Sequence, residues 1–270
     1  MNELDAEIER ASLERMTSDE ILLNVSRYIF AKNYIKKSKI CLDIACGEGY
    51  GLTFFREAKL VVAADISLEA LKKAKIHAPY AELVRCDAHF LPFKENTFDV
   101  ITSFETIEHL NTPEKFLGEL KRICKSSGVI IISTPNKLYK NVWVRNINPY
   151  HIREYTIEEF KSLLSSFFED ISMFAQVPKF SRWIKDNIIW TIRKIIVSLP
   201  HPFASKLLEK ARNVRRKVSA EPTNIDLYSN HQYGIKTLSD NFVRVGKPQT
   251  IIAVVNVKNK NHACNISKKR

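Results

Sequence analysis

Apolar residues recur along this chain with two distinct periods. Short β-branched runs begin near residues 40, 60, 82, 98 and 128, and between them apolar side chains return every three or four positions. The runs read as buried strands, and the intervening stretches as helices with one inward face. Ser18 and Asp19 open the earliest helix, whose Ile21, Leu22, Val25, Tyr28 and Ile29 share a face. Leu68, Leu71, Ala74 and Ile76 mark a second helix. Phe116, Leu117, Leu120 and Ile123 mark a third, behind Pro113 in its first turn. Thr156 caps a fourth, which faces inward through Ile157, Phe160, Leu163, Leu164 and Phe167. Strand and helix in alternation predict an α/β fold on a mostly parallel sheet.

Two later strands complete the pattern, DISMFAQV from residue 170 and TIIAVVNVK from residue 250. They are expected to pair antiparallel, which makes the residues between them an insertion. Within it Ile184, Ile188, Ile192 and Ile195 align on one predicted helix, and Leu207, Ala211, Val214 and Val218 on another. The chain thus divides into an N-terminal helical cap (1–38), a core (39–177), a basic helical insertion or lid (178–248), a final core strand (249–258) and a flexible basic tail (259–270).

The chemistry concentrates where the first strand ends. ICLDIACGEGYG, residues 40–51, runs an apolar strand into Gly47, Gly49 and Gly51 and then into a predicted helix with Leu52, Phe54 and Phe55. Glycine reaches backbone angles costly for other residues and lets a ligand approach the main chain. The spacing is GxGxG, not the GxGxxG that seats a pyrophosphate on a helix start. Asp43, just before the first glycine, would repel a pyrophosphate and attract a cation. Asp65 ends the second strand, where a carboxylate can accept from both hydroxyls of a ribose. Asp87 follows the third strand; Glu105, Glu108 and His109 follow the fourth, at the edge where open α/β sheets bind ligands. Tyr150, His151, Arg153, Glu154 and Tyr155 form a second polar cluster, aimed by the rigid helix that Thr156 begins.

These segments carry a resemblance. LDIACGEGYG resembles motif I of the class I S-adenosylmethionine-dependent methyltransferases, and FETIEHL resembles the post-strand segment of their ubiquinone-type and glycan-type members. RYIFA (27–31) is similar to a helix that covers the cofactor in glycan-cluster members, and NPYHIREYT to a loop of O-antigen and capsule-cluster enzymes. The resemblance implies a Rossmann-like seven-stranded methyltransferase sheet with a helical insertion between the last two strands. It implies S-adenosyl-L-methionine as cofactor. Asp43, Ala45, Gly47, Gly49 and Gly51 would line its methionine end, Asp65 and Ile66 its ribose, and Asp87 and Ala88 its adenine, with Phe90, Leu91 and Phe93 walling that pocket. Phe104 and Glu105 would form the junction with substrate.

The activity so implied is methyl transfer to a sugar hydroxyl in a nucleotide-sugar or lipid-linked surface glycan, as in polysaccharide biosynthesis. A quinone or other lipid-soluble phenol is the rival acceptor, and a cofactor-binding scaffold at a membrane, without turnover, the rival from another class. Methyl transfer is an in-line displacement at a carbon activated by positive sulfur, so the protein contributes alignment and exclusion of water. A hydroxyl acceptor needs a base, for which His109 and His151 are the candidates because a neutral imidazole is available near neutral pH. A helix cap and a loop anchor are the structural alternatives for these two residues. Glu105, Glu108 and His109 form only a generic ligand set, and no metal is assigned.

Charge locates the partner surface. Of the net +12, residues 1–170 carry 23 Lys or Arg against 25 Asp or Glu, whereas 171–270 carry 19 against 5. Between 179 and 217 there are 11 basic and 2 acidic residues. A lid with a solvated charged side is the first expected use of that segment, and contact with anionic lipid the second. Nucleic acid is not the expected partner, because SFET stands after the fourth strand and no NPPY-like amino-methylation motif does. Cys41, Cys46, Cys86, Cys124 and Cys264 show no CxxC pairing and read as reduced, packed thiols. The start MNELDAEIERASLERMTSDE is charged, and no run of about 18 uncharged apolar residues occurs. A cytoplasmic protein is expected, with 179–217 as its route to the inner face of the membrane.

Overall fold

The computed structural model describes residues 18–138, 150–178, 233–237 and 250–257. They build an eight-stranded sheet in the order β3-β2-β1-β4-β5-β8-β6-β7. The strands β1 (Ile40–Ile44), β2 (Leu60–Asp65), β3 (Glu82–Arg85), β4 (Phe98–Phe104) and β5 (Cys124–Pro135) are mutually parallel. The last three, β6 (Asp170–Pro178), β7 (Tyr233–Thr237) and β8 (Thr250–Asn256), join antiparallel. Helices α1 (Ser18–Lys32), α2 (Leu68–His77), α3 (Pro113–Ile123) and α4 (Ile157–Ser165) lie where the periodicity puts them.

All seven expected strands form, with β6 and β8 paired antiparallel as anticipated. The eighth, β7, comes from inside the stretch read as helical and pairs with Phe174–Pro178 of β6. It covers an edge that a seven-stranded sheet would leave open. The predicted helices around 184–195 and 207–218, the residues before Ser18 and the tail lie outside the described residues.

Burial explains the unbroken apolar strands. Ile130 and Ile132 enter one core layer with Leu42, Phe116, Leu120 and Phe160, while Ile131 enters the other with Val61, Leu52, Phe55 and Tyr28. Successive side chains of a strand point to opposite faces, and helices cover both faces here, so apolar residues are favoured at nearly every position. Cys41 and Cys124 belong to these layers, and burial pushes both thiols up to about 12. Neither is a thiolate near neutral pH. Among the described residues, no helix is long and apolar enough to cross a membrane.

One local expectation fails. The helix foreseen after the glycine turn is a six-residue 3-10 helix, Tyr50–Phe55. Few residues remain between it and Leu60, and a 3-10 helix advances about 2.0 Å per residue against about 1.5 Å for an α-helix, so it spans the connection with less chain.

Candidate active site at the carboxyl edge of the sheet

Backbone strain gathers just past β1 and β4, which are neighbours. Ala45 (φ 56) and Glu105 (φ 52) are left-handed without being glycine, and Gly47 (φ 56) and Gly49 (φ 74) are left-handed beside Ala45. A non-glycine residue held there costs on the order of 1 kcal/mol or more and persists only where its surroundings impose it. The main chain at both strand ends is thereby turned back over the sheet edge.

Asp43 sits at the floor of this turn, 1% exposed. Thr102 Oγ1, opposite it on β4, donates to Oδ1 at 2.6 Å, and Tyr28 Oη of α1 donates to Oδ2 at 3.1 Å. Burial pushes the carboxyl up to about 7 against the pull of these two hydroxyls, and the charge of Asp65 pushes it the same way. Asp65, 6% exposed, accepts from Gly47 N through Oδ2 and from Ser67 N through Oδ1, each at 2.9 Å. It thus clamps the glycine turn to the start of α2. Lys73 of α2 adds a second tie, donating to Glu48 Oε1 at 2.7 Å, and His77 Nδ1 lies 2.7 Å from the Glu48 carbonyl oxygen.

Gly49 and Gly51 owe their identity to packing. A Cβ at Gly49 would lie 2.6 Å from that of Ala74, and a Cβ at Gly51 would lie 2.1 Å from the Tyr28 ring. The sequence reading gave all three glycines to the ligand; these two are also required by α2 and α1. Gly51→Ala is expected to displace Tyr28 from Asp43 and to cost about 1–3 kcal/mol, as overpacking does. Thermal unfolding without ligand measures this, and an unchanged melting temperature would show that the ring yields freely.

The helix carrying RYIFA lies over this edge. Tyr28 packs edge-on against Phe104 with centroids 4.9 Å apart, and Arg27, 2% exposed, comes within 3.8 Å of Glu105. Arg27 also donates to Gln176 of β6 at 3.3 Å and to Asn24. Glu105 accepts from Ser133 Oγ at 2.7 Å. Tyr50, at the head of the 3-10 helix, feels Arg27, Asp43 and Glu105, and burial holds its phenol up near 12. Arg27, Tyr28, Tyr50, Thr102 and Ser133 were not singled out as site residues from sequence. The signal was present for Thr102, a hydroxyl inside an apolar strand, and for Arg27, a cation on an otherwise apolar helical face.

The side expected to take adenine is more open. Asp87 follows β3 and accepts from the backbone N–H of His89 at 2.8 Å and lies 2.7 Å from its Nδ1; these contacts hold its carboxyl below the usual range against partial burial. Ala88 packs against the core, and Ile66, whose carbonyl accepts from Arg85, is partly exposed. Of the three residues expected to wall that side, Phe90 and Leu91 line a cavity together with His89, Pro92 and Lys115. Leu91 is buried in the core and Phe93 stacks edge-on against Phe98, while Phe90 is 66% exposed under the Lys115 ammonium, 3.1 Å from its centroid.

Past Glu105 the two histidines meet. The rings of His109 and His151 are T-shaped with centroids 4.9 Å apart. The segments carrying them are locked together, because Ile152 N and Arg153 N both donate to the Glu108 carbonyl, at 2.9 and 3.1 Å. Thr156 and Glu159 close a reciprocal capping box on α4, which fixes the same loop from its other end. Glu108 is fully buried; burial and the charge of Glu105 hold its carboxyl well above the usual range.

The donor set suits S-adenosylmethionine. Two buried carboxylates on neighbouring strands, one satisfied by hydroxyls alone, favour a ligand cationic at one end, and Asp65 retains acceptor capacity for a diol beside the turned main chain. The comparisons with known proteins agree. Residues 42–132 match the family model described as a methyltransferase domain. Over 162 residues the chain is 30% identical to a probable S-adenosylmethionine-dependent methyltransferase of Mycobacterium tuberculosis, covering 56% of this chain and 59% of that protein. Over 208 residues it is 30% identical to an uncharacterized protein of Methanocaldococcus jannaschii, covering 75% of this chain and 81% of the other. The chain spans 49–59% of the length of the first curated relatives it matches. A SAM-dependent methyltransferase structure from Thermotoga maritima superposes with a TM-score of 0.57 at 15% identity, covering 88% of this chain and 92% of that one, which shows the shared fold. From the buried acids, the strained turn and these matches together, the domain of residues 42–132 belongs to the class I S-adenosylmethionine-dependent methyltransferases.

Proposed function

We propose that this protein transfers a methyl group from S-adenosylmethionine to a hydroxyl of a sugar, carried on a nucleotide or a lipid. The meeting of His109 and His151 supports the reading: two imidazoles from segments far apart in sequence converge beside Glu108, past the strand that borders the cofactor turn. A hydroxyl acceptor must lose its proton as it attacks, and an imidazole there can take it. In this reading the charge of the basic segment 179–217 matches that of phosphate-bearing or membrane-borne sugars.

The test is acceptor-dependent formation of S-adenosylhomocysteine by the purified chain, followed by mass spectrometry with nucleotide sugars, lipid-linked sugars and quinols in parallel. Turnover on quinols alone would replace the sugar by a phenol, and cofactor binding without turnover on any acceptor would make the protein a scaffold. His109→Gln and His151→Gln are each expected to lower turnover by about a hundredfold or more. Affinity for S-adenosylhomocysteine should stay within about twofold, and two fully active variants would remove the base assignment.

A further inference from the structure

We propose that Glu108, His109 and His151 bind a divalent transition-metal cation of the zinc type on the acceptor side of the site. One potential ligand atom from each residue lies within 4.8 Å of the others, and His109 Nε2 is 3.9 Å from Glu108 Oε1. Bonds of about 2.0–2.2 Å place tetrahedral ligand atoms roughly 3.3–3.6 Å apart. Side-chain rotation of about an ångström therefore closes the set.

An independent observation points the same way. The Glu108 side chain is wholly buried; Thr134 Oγ1 donates to its Oε2 at 3.0 Å, whereas Oε1 has no hydrogen-bond partner. A buried carboxylate oxygen left without a partner is costly, and a cation against that oxygen supplies both the contact and the countercharge. Nothing in the methyl-transfer reading uses this oxygen.

Both imidazoles are also held in the manner of metal ligands. His109 Nδ1 lies 3.1 Å from the Tyr150 carbonyl oxygen, and His151 Nδ1 lies 3.1 Å from Glu154 Oε1. A proton on Nδ1, donated to oxygen, fixes the tautomer whose lone pair is on Nε2 and orients the ring. The clamp of Ile152 and Arg153 on the Glu108 carbonyl holds the third ligand in register with the first two. Glu105, part of the ligand set suggested by sequence, is engaged by Ser133 and faces Arg27. His151 takes its place.

Two imidazoles and one carboxylate select zinc, manganese, iron(II) or cobalt over magnesium and calcium, which prefer all-oxygen sets. Three protein ligands leave coordination positions for an exogenous oxygen. The role of the site rests on the methyl-transfer reading, although its existence does not. With the cation bound, an acceptor hydroxyl coordinates to it and releases its proton to solvent. The oxygen lone pair then forms the C–O bond as the C–S bond breaks, and that electron pair leaves on sulfur, giving S-adenosylhomocysteine. The imidazoles then serve as ligands, and they are left to act as bases only in the metal-free protein.

The probe is Co2+, added to the chelator-treated full chain and followed by visible d–d absorption and calorimetry, with S-adenosylhomocysteine affinity measured on each sample. Saturation at one equivalent is expected, with a band intensity of four or five coordination. Glu108→Gln and His151→Gln should each lower Co2+ affinity by about tenfold or more, with S-adenosylhomocysteine affinity unchanged. His151→Gln, on a partly exposed loop, carries the test if the buried Glu108→Gln fails to fold. Wild-type protein that binds S-adenosylhomocysteine yet gives no Co2+ band overturns the site, as does undiminished Co2+ binding by the variants. Co2+ binding without S-adenosylhomocysteine binding would instead sink the methyltransferase activity and leave the metal site standing.

Discussion

Asp65→Ala is expected to weaken S-adenosylhomocysteine binding by about a hundredfold and to lower the melting temperature without ligand. The first effect follows from two ribose hydroxyls losing a charged acceptor, at about 1.5–3 kcal/mol for each such hydrogen bond, where every 1.4 kcal/mol is tenfold in affinity. The second follows from the loss of the clamp on the part-buried Gly47 N and the buried Ser67 N, donors that alanine leaves without that acceptor. Asp65→Asn separates the two, since its amide oxygen can keep one of the backbone donors while the ribose loses the carboxylate. Calorimetry and thermal melts of the pair check this. Wild-type affinity in the alanine variant would remove Asp65 from the ribose.

Asp43→Asn is expected to stabilise the ligand-free protein above pH 7 and to flatten the pH dependence of cofactor binding. The folded carboxyl titrates near 7, raised from 3.8 chiefly by burial. Below about pH 4 it is protonated in both states and costs nothing. Between pH 4 and 7 the unfolded chain ionises while the folded one resists, so stability declines across that window and levels off above it. The full difference is on the order of 4 kcal/mol. Asparagine does not titrate, and its amide can face the Tyr28 oxygen while its carbonyl keeps Thr102. A cationic ligand prefers the ionised carboxylate, so wild-type affinity should fall by about tenfold per pH unit as pH drops below 7. Chemical denaturation and binding measured from pH 5 to 8.5 read both effects, and parallel profiles for wild type and Asp43→Asn would contradict them.

The strands were legible because their apolar runs are buried on both faces, and Asp43, Asp65 and the glycine turn because their spacing is local. What sequence could not show is convergence. Thr102 meets Asp43 only through the parallel register of β1 and β4, and Tyr28 reads as one more apolar-face residue until its hydroxyl is seen on Asp43. His109 and His151 were both noted, but nothing in two separate polar clusters says that their rings touch. The strand β7 was hidden because YGIKT is only five residues long, although Tyr233, Ile235 and Thr237 alternate as strand formers; pairing with β6 makes it a strand. The contact of the Lys115 ammonium with the Phe90 ring joins two segments whose spacing in sequence gives no sign of it.

Arg27 and Tyr28 are consecutive on α1, yet one grips Glu105 and the other Asp43. A small roll of that helix about its own axis would loosen both grips together. Asp43 and Glu105, on neighbouring strand ends, therefore behave as one mechanical piece, hinged on a single pair of adjacent side chains.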